Sequence, residues 1–110
     1  MKFLFVTTVK DTFTVLPATV NRQLMEATVA WMDDQKKRGK LLEAYMTPGG
    51  ASAVICEHPS VEDAAQTIAA CPMGGFLNFE VYALADYHVA MKAYIEACKQ
   101  AEKLFPSAPR

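Results

Sequence analysis

The segment LNFEVYAL, residues 77–84, alternates with a period of two, which is the side-chain period of a β-strand. One side of this strand is wholly apolar and comprises Leu77, Phe79, Val81 and Ala83. The other side is mixed and comprises Asn78, Glu80, Tyr82 and Leu84. A strand with one apolar and one mixed side predicts a sheet that is covered by helices on one face only. This constraint governs how the rest of the chain can be arranged around it.

Hydrophobic periodicity divides the remaining chain into strands and helices. Besides the segment above, strands are predicted over residues 2–9, 41–47 and 51–57. Three helices are predicted: the first over residues 18–38, the second beginning after the N-cap Ser60, and the third over residues 86–103. The order is β-α-β-β-α-β with an extra C-terminal helix. It predicts a ferredoxin-like α+β fold, in which two helices cross one face of an antiparallel sheet. The apolar side predicted for the last helix consists of Val89, Ala90, Tyr94, Ile95, Cys98 and Ala101.

Length and composition narrow the class of protein. With 110 residues the chain predicts a single domain, residues 1–105, followed by a flexible tail over residues 106–110. A net charge of −1 argues against nucleic acid or an anionic membrane as a partner, and the apolar run at the start is too short for a membrane span. Three widely spaced cysteines indicate reduced thiols and a cytoplasmic protein.

No metal site is predicted. His58 and His88 lie thirty residues apart, and neither joins the cysteines in a pattern with metal-ligand spacing. Structural or surface roles are the expectation for both histidines.

The helix-free face of the predicted sheet mixes aromatic, aliphatic and acidic side chains. The second strand is expected to turn Leu41, Glu43 and Tyr45 to this face and Leu42, Ala44 and Met46 to the helices. The first strand contributes either its Phe3, Phe5 and Thr7 side or its Leu4, Val6 and Thr8 side. An exposed face of this kind would be a sticky patch, so the sequence predicts that two such faces pair back to back in a homodimeric barrel.

Pairing the faces would leave Glu43 and Glu80 around a partly closed cavity. Two interpretations are open at this point. Either both carboxylates lie at a solvated rim or in interface ion pairs, or at least one is an acid or base in the pocket.

Several short segments give the chain a resemblance to muconolactone isomerase and its relatives in the dimeric α+β barrel superfamily. The matching segments are Thr8-Val9-Lys10, Arg38-Gly39, Pro59 to Glu62, Pro72, and Glu80-Val81 with the following Leu84. Asn78 stands where the fourth strand of that family tends to carry Asp. The resemblance implies a cofactor-free isomerase that moves a proton on a small anionic lactone and works as an obligate oligomer.

A more distant similarity is to YciI-like proteins, through the segments GKLLEAY and EHPSVEDAAQ. The first predicted helix lacks the histidine of that group, and the aspartate of its Asp-Pro pair is also missing before Pro72. The YciI-like site is therefore not carried over.

These observations lead to a specific hypothesis for the site. Glu80 takes a proton from a carbon next to a carbonyl, and Tyr45 or Tyr82 stabilises the enolate. Lys10 holds the carboxylate of the substrate, as the resemblance implies. Asn78 and Glu43 supply further contacts to the substrate, and no cofactor is needed.

Alternatives remain open from the sequence. Related barrels host cofactor-free oxygenation of phenolic rings and polyketide cyclisation, so a monooxygenase or cyclase is one alternative. A non-catalytic dimer that binds a small apolar acid is the other, because a fold does not by itself select a function.

Overall fold

A computed structural model of the chain describes residues 1–106. The strands are β1 (Lys2–Val9), β2 (Leu41–Met46), β3 (Ser52–Glu57) and β4 (Leu77–Leu84). The helices are α1 (Asp11–Thr14), α2 (Ala18–Lys37), α3 (Val61–Ala69) and α4 (Tyr87–Leu104), with a 3₁₀ turn over Gly74–Phe76. The predicted flexible tail begins at Pro106, and residues 107–110 lie outside the described residues.

The four strands form one antiparallel sheet in the order β2-β3-β1-β4. In this order β1 lies between β3, which precedes α3 in the chain, and β4, which follows it. The predicted ferredoxin-like arrangement, with an extra C-terminal helix, is confirmed.

Local sequence signals fix the ends of the helices. α2 ends where Gly39 adopts φ +74°, a left-handed conformation that favours glycine. α3 begins at Ser60, whose hydroxyl accepts a hydrogen bond from the backbone N–H of Asp63 at 3.1 Å. The Asp86 carboxylate caps α4 in the same way by accepting from the N–H of Val89 at 3.2 Å.

The core lies between the sheet and α3. Phe3 and Phe5 on β1, Cys56 on β3 and Ala64 on α3 are buried together, with Val54 and Ile68 packed against them. Burial raises the pKa of the Cys56 thiol to about 11, so this cysteine stays protonated at neutral pH. All three cysteines of the described chain are unpaired.

The side of β1 that faces the helices is settled by this core. Phe3 and Phe5 lie in register with Ala83 and Val81 of β4, on the helix-covered face. Of the two sides that the sequence left open, the Leu4, Val6 and Thr8 side therefore occupies the helix-free face, and the placement of Phe3 or Phe5 on that face is wrong. Two aromatic rings bury more apolar area than Leu and Val, so the rings take the covered side.

The predicted faces of β2 need one correction. A β-bulge between Leu41 and Glu43 shifts the register, so that Leu41 pairs with Cys56 and Glu43 pairs with Ile55. Leu41 is consequently buried on the helix-covered face, although alternation placed it with Glu43 on the other. Leu42 is the extra residue of the bulge and is exposed.

A short helix that the sequence analysis did not predict follows β1. α1 spans only four residues and buries Phe13, whose ring packs edge-on against Phe76 at 5.9 Å between centroids. The contact joins the end of β1 to the start of β4.

The C-terminal helix does not pack like the others. Every residue of α4 is exposed except Ala90, which is half-buried. The chain is correspondingly elongated, with a radius of gyration of 19.7 Å, whereas a compact chain of this length has about 13 Å. Within residues 1–106, no helix has the length and apolar character needed to span a membrane.

Phe3 provides the test of the core. Phe3→Ala should lower the free energy of unfolding by about 3–5 kcal/mol, because it removes the most buried ring of the cluster and leaves a cavity. Val15→Ala is the matched control, since Val15 is 81% exposed and its truncation should change stability by less than about 0.5 kcal/mol. Urea denaturation of both variants measures the difference, and a Phe3→Ala loss no larger than that of the control would contradict the assignment of this core.

Candidate functional site

The helix-free face of the sheet holds most of the predicted site residues. The register of β1 and β4 places Glu80 beside Val6, Tyr82 beside Leu4 and Asn78 beside Thr8. Residues paired in an antiparallel ladder share a face, so these three polar side chains form one row along β4. The row is bordered by the aliphatic side chains of β1.

Glu80 and Tyr82 form the central contact of this row. The Tyr82 hydroxyl donates a hydrogen bond to Oε2 of Glu80 at 2.7 Å. This hydrogen bond, and then the carboxylate charge, raise the pKa of Tyr82 above its ordinary value. The phenol is therefore a proton donor throughout the physiological range, and it holds the orientation of the Glu80 carboxylate.

Asn78 and Lys10 lie at one end of the same row. The side-chain amide of Asn78 donates to Oγ1 of Thr8 at 3.3 Å. Lys10 follows β1 directly, and its backbone N–H donates to the carbonyl of Phe76 at 2.8 Å. Lys10 is therefore the first residue beyond the last β1–β4 pair, which is formed by Val9 and Leu77.

Glu43 and Tyr45 are not brought to this row. They lie on the helix-free face of β2, opposite Ile55 and Ala53 of β3. Since β2 and β4 are the two edges of the four-stranded sheet, their backbones are about 14 Å apart at the usual strand spacing. Within one chain the residues form two separate groups, one at each edge.

The face is open to solvent in the single chain. Glu80 and Asn78 are exposed, and Tyr82 is 48% exposed. Leu4, Val6 and Ile55 are half-buried between them by neighbouring side chains of the sheet. A dry cavity around Glu80 therefore requires a second molecule over this face.

A second polar cluster, which the sequence analysis did not identify, lies on the helix-covered side. The His58 ring is fully buried and stacks on Phe5 at 6.2 Å between ring centroids. Its Nδ1 is 2.8 Å from Oδ2 of Asp63, and Nζ of Lys40 is 3.6 Å from the same oxygen. The only sequence signal for it is the short spacing from His58 to Asp63 across the N-cap of α3.

The hydrogen bond to His58, and then the nearby Lys40 charge, hold the pKa of Asp63 below its ordinary value, against the opposing effect of partial burial. Nε2 of His58 is buried without a hydrogen-bond partner among residues 1–106. The His58–Asp63 contact joins the end of β3 to α3, and the Lys40–Asp63 contact adds the residue before β2. Because the His58 ring is sealed from solvent, we assign this cluster a structural role.

Over residues 1–106, no three His, Cys, Asp or Glu side chains are grouped closely enough to hold a metal ion. No protein-family model matches the chain, and no curated protein matches it.

Solved structures do resemble the fold. The structure of muconolactone isomerase at 3.3 Å resolution superposes with a TM-score of 0.69 at 23% identity, over 78% of this chain and 90% of that chain. The 5-chloro-2-hydroxyhydroquinone dehydrochlorinase TftG from Burkholderia phenoliruptrix AC1100, in complex with 2,5-dihydroxybenzoquinone, gives a TM-score of 0.63 at 17% identity. That match covers 80% of this chain and 98% of the dehydrochlorinase.

The chain is thus an α+β protein of the ferredoxin-like class. More particularly, it has the fold of muconolactone isomerase, as the short sequence segments predicted. The similarity covers about four-fifths of the chain.

The His58–Asp63 pair gives a prediction about pH. The folded pKa of Asp63 is lowered, so the stabilisation by its charge is fully present above the unfolded pKa of about 4 and is lost at lower pH, as the pH falls through the folded pKa. Asp63→Asn should lower the stability at pH 7, and this deficit should shrink only as the pH falls below about 4.

Glu62→Gln is the matched control, because Glu62 is exposed in the same first turn of α3. It removes the same charge without touching the His58 ring. Thermal unfolding followed between about pH 2 and pH 8 compares the three proteins. An Asp63→Asn deficit that does not shrink at all between about pH 4 and the acid end of this range would show that the carboxylate charge is not what stabilises this region.

Proposed function

We propose that this protein is a small cofactor-independent enzyme that shifts a proton on a small enolisable lactone or carboxylic acid. The observation that carries the proposal is the Glu80–Tyr82 hydrogen bond on the helix-free face. It places a carboxylate base and a neutral hydroxyl donor side by side, next to an aliphatic surface. Those are the two groups that enolisation requires.

Glu80 acts as the base. Its carboxylate removes a proton from the carbon next to a carbonyl, and the C–H electron pair becomes the π-bond of an enolate. The proton then returns from Glu80 to a different carbon of the conjugated system, which moves the double bond. No atom is gained or lost, and no electron acceptor is involved.

Tyr82 positions Glu80 and stabilises the intermediate. In the resting site its hydroxyl donates to Oε2 of Glu80. When Glu80 becomes protonated this hydrogen bond weakens, because a carboxylic acid is a poorer acceptor than a carboxylate. The same O–H then turns to the enolate oxygen, and the raised pKa of Tyr82 keeps the proton in place.

Lys10 and Asn78 bind the anionic end of the substrate. Asn78 lies two residues along β4 from Glu80, which is about 6.8 Å, and Lys10 lies beyond Asn78, one residue past the Val9–Leu77 pair at the C-terminal end of β1. A lysine at this end supplies the positive charge that a carboxylate needs.

A second copy of the chain covers the face. Leu4, Val6 and Ile55 supply an aliphatic surface, and its burial against the second copy excludes water from the row around Glu80. Because Glu43 and Tyr45 lie at the opposite sheet edge from Glu80, their part in a single pocket comes from the second copy. The enzyme is thus a homodimer or a larger even assembly.

The comparisons support an enzyme of this kind at the level of fold. Both structures named above carry enzyme names and match most of this chain. Their identities of 23% and 17% do not transfer a reaction. The proposed proton shift therefore depends on the row along β4.

Glu80→Gln tests the chemistry. It should preserve the fold, since Glu80 is exposed in the single chain, and lower isomerase turnover by about 10²–10⁴-fold through loss of the base. Tyr82→Phe should lower isomerase turnover by about tenfold, because the Glu80 carboxylate remains but loses its hydrogen-bond donor. The assay uses a panel of small unsaturated lactones and enolisable acids, with proton movement followed by NMR in D₂O.

Glu43→Gln is the control, as it makes the same change at the other edge of the sheet. It should cost less than Glu80→Gln. Equal turnover by Glu80→Gln and the wild type would reject Glu80 as the base. Wild-type protein that binds panel members without exchanging their protons would favour the non-catalytic binding protein.

A separate experiment tests whether a second copy covers the helix-free face. Ile55→Lys places a charge in the middle of the helix-free face and should lower the mass seen in sedimentation velocity at micromolar concentration. Val61→Lys is the control, because Val61 on α3 is 56% exposed on the other side of the sheet. A wild-type mass equal to the 12.1 kDa of one chain would remove the dimer from the proposal.

A further inference from the structure

α4 carries a stripe of apolar side chains that nothing in the chain covers among residues 1–106. The stripe follows spacings of four and three residues, which is the seven-residue repeat of helices that pack along one another. Its members are Tyr87, Met91, Tyr94, Cys98 and Ala101 on α4, together with Phe105, the C-cap residue that follows the helix. Tyr94, near its centre, is 70% exposed.

Charged residues lie on the opposite side of the helix. At 100° per residue, the polar side comprises Lys92, Glu96, Lys99 and Lys103. Val89 falls on this polar side, although the sequence analysis grouped it with the apolar side. The separation of the two sides is typical of a helix that packs against a partner along its length.

The junction between β4 and α4 directs the helix away from its own sheet. Only Ala85 and Asp86 separate the two elements, and Asp86 caps the helix through its side chain and its carbonyl, which accepts from the N–H of Ala90 at 3.0 Å. The longest dimension of the chain reaches 67 Å as a result. The partner of α4 is therefore another molecule.

We propose that α4 pairs in antiparallel orientation with α4 of a second copy of this chain. The interface is separate from the row around Glu80, and the inference does not rest on the proposed reaction. It assigns a second self-association surface to the protein, in addition to the helix-free sheet face.

Side-chain size favours a second α4 in antiparallel orientation. When the two helices are centred on each other, each stripe residue of one copy faces a stripe residue of the other. Tyr94 faces Cys98 of the second copy, Met91 faces Ala101, and Tyr87 faces Phe105. Large residues meet small ones in the central layers, as close packing requires. A parallel pair would set Tyr94 against Tyr94 and Ala101 against Ala101, which crowds one layer and leaves a void in another.

Charge favours the same register. The residues that flank the stripe on one side are His88, Ile95 and Glu102. Two-fold symmetry about the helix centre brings His88 near Glu102 of the second copy, and Ile95 near its own counterpart. Lys92 and Lys99 remain on the polar side, so no like charges meet across the interface.

Two self-complementary surfaces on one chain have a consequence for assembly. If the sheet faces pair with one copy and α4 pairs with another, the assembly is larger than a dimer. Pairing is strengthened when the sheet faces also hold the copies together, because the local concentration of helices rises.

Cross-linking tests the register with the native thiol. Tyr94→Cys places a new thiol opposite Cys98 of the second copy, so mild oxidation should convert most of the protein to a disulfide-linked dimer. Wild-type protein should stay uncross-linked, because its two Cys98 residues are offset along the axis by about 6 Å, four residues of helix. Tyr94→Cys combined with Cys98→Ser is the control. The two new cysteines at position 94 are offset along the axis by the same four residues, so this variant should also stay uncross-linked.

The alternatives give different results. Cross-linking of wild-type protein through Cys98 would mean a parallel pair and would overturn the antiparallel register. Tyr94→Cys that forms no linked dimer, at a concentration where the wild type is associated, would overturn the pairing of α4.

A charge substitution tests the pairing without cysteine chemistry. Tyr94→Glu should raise the apparent dissociation constant of the α4-dependent step at least about tenfold, since it buries a charge between the helices. Val89→Glu is closely matched, because Val89 is 69% exposed on the same helix but lies on the polar side. It should associate like the wild type, and circular dichroism should show equal helix content in both variants.

The combined variants separate this proposal from the proposed dimer. Ile55→Lys should leave association through α4, Tyr94→Glu should leave association through the sheet, and the double variant should be monomeric. Equal association of the Tyr94→Glu and Val89→Glu variants would overturn the proposal. Tyr94-dependent binding to phosphatidylserine-containing vesicles, with no Tyr94-dependent self-association, would identify a membrane surface as the occupant and also overturn it.

Discussion

Burial of Phe3 and Phe5 against α3 is the interaction on which the rest of the structure depends. β1 is a central strand, and its two rings pack with Cys56 and Ala64 in the main core. Side chains of a strand alternate between faces, so this packing sends Leu4, Val6 and Thr8 to the helix-free face. The register with β4 then carries Asn78, Glu80 and Tyr82 to the same face. The candidate site is a consequence of where the rings are buried.

The same packing leaves two apolar surfaces without cover in the described chain. One is the helix-free face of the sheet, and the other is the stripe along α4. A chain that buries Phe3 and Phe5 on one side, but exposes Tyr82, Tyr94 and Phe105 elsewhere, has divided its hydrophobic surface between folding and association. The first surface includes a hydrogen-bonded Glu–Tyr pair and the second does not. This difference in polarity separates a surface suited to chemistry from one suited to packing alone.

Much of the fold could be predicted from periodicity and from the ends of elements. β1 has the predicted bounds, α2 ends just before Gly39, and α3 begins after Ser60 as the capping pattern indicates. The faces of β2 could not be read in full. Alternation assumes an unbroken register, and the bulge after Leu41 breaks it through pairing with a strand that lies elsewhere in the sequence. The His58–Asp63 pair could not be predicted for a related reason. Nothing in the local sequence indicates that a histidine before a proline is buried beneath two phenylalanines of another strand.

By itself the sequence determined the order of elements, the alternation along β4 and therefore the shared face of Asn78, Glu80 and Tyr82. These properties depend on spacing within one segment, which backbone geometry translates directly into direction. Only the tertiary structure decided that Phe3 and Phe5 face the helices, that Glu43 and Tyr45 lie at the far edge from Glu80, and that α4 extends from the chain. Those properties depend on which strands become neighbours and on which apolar surfaces compete for the same core. That competition is settled by burial across the whole chain, and no single segment contains the information.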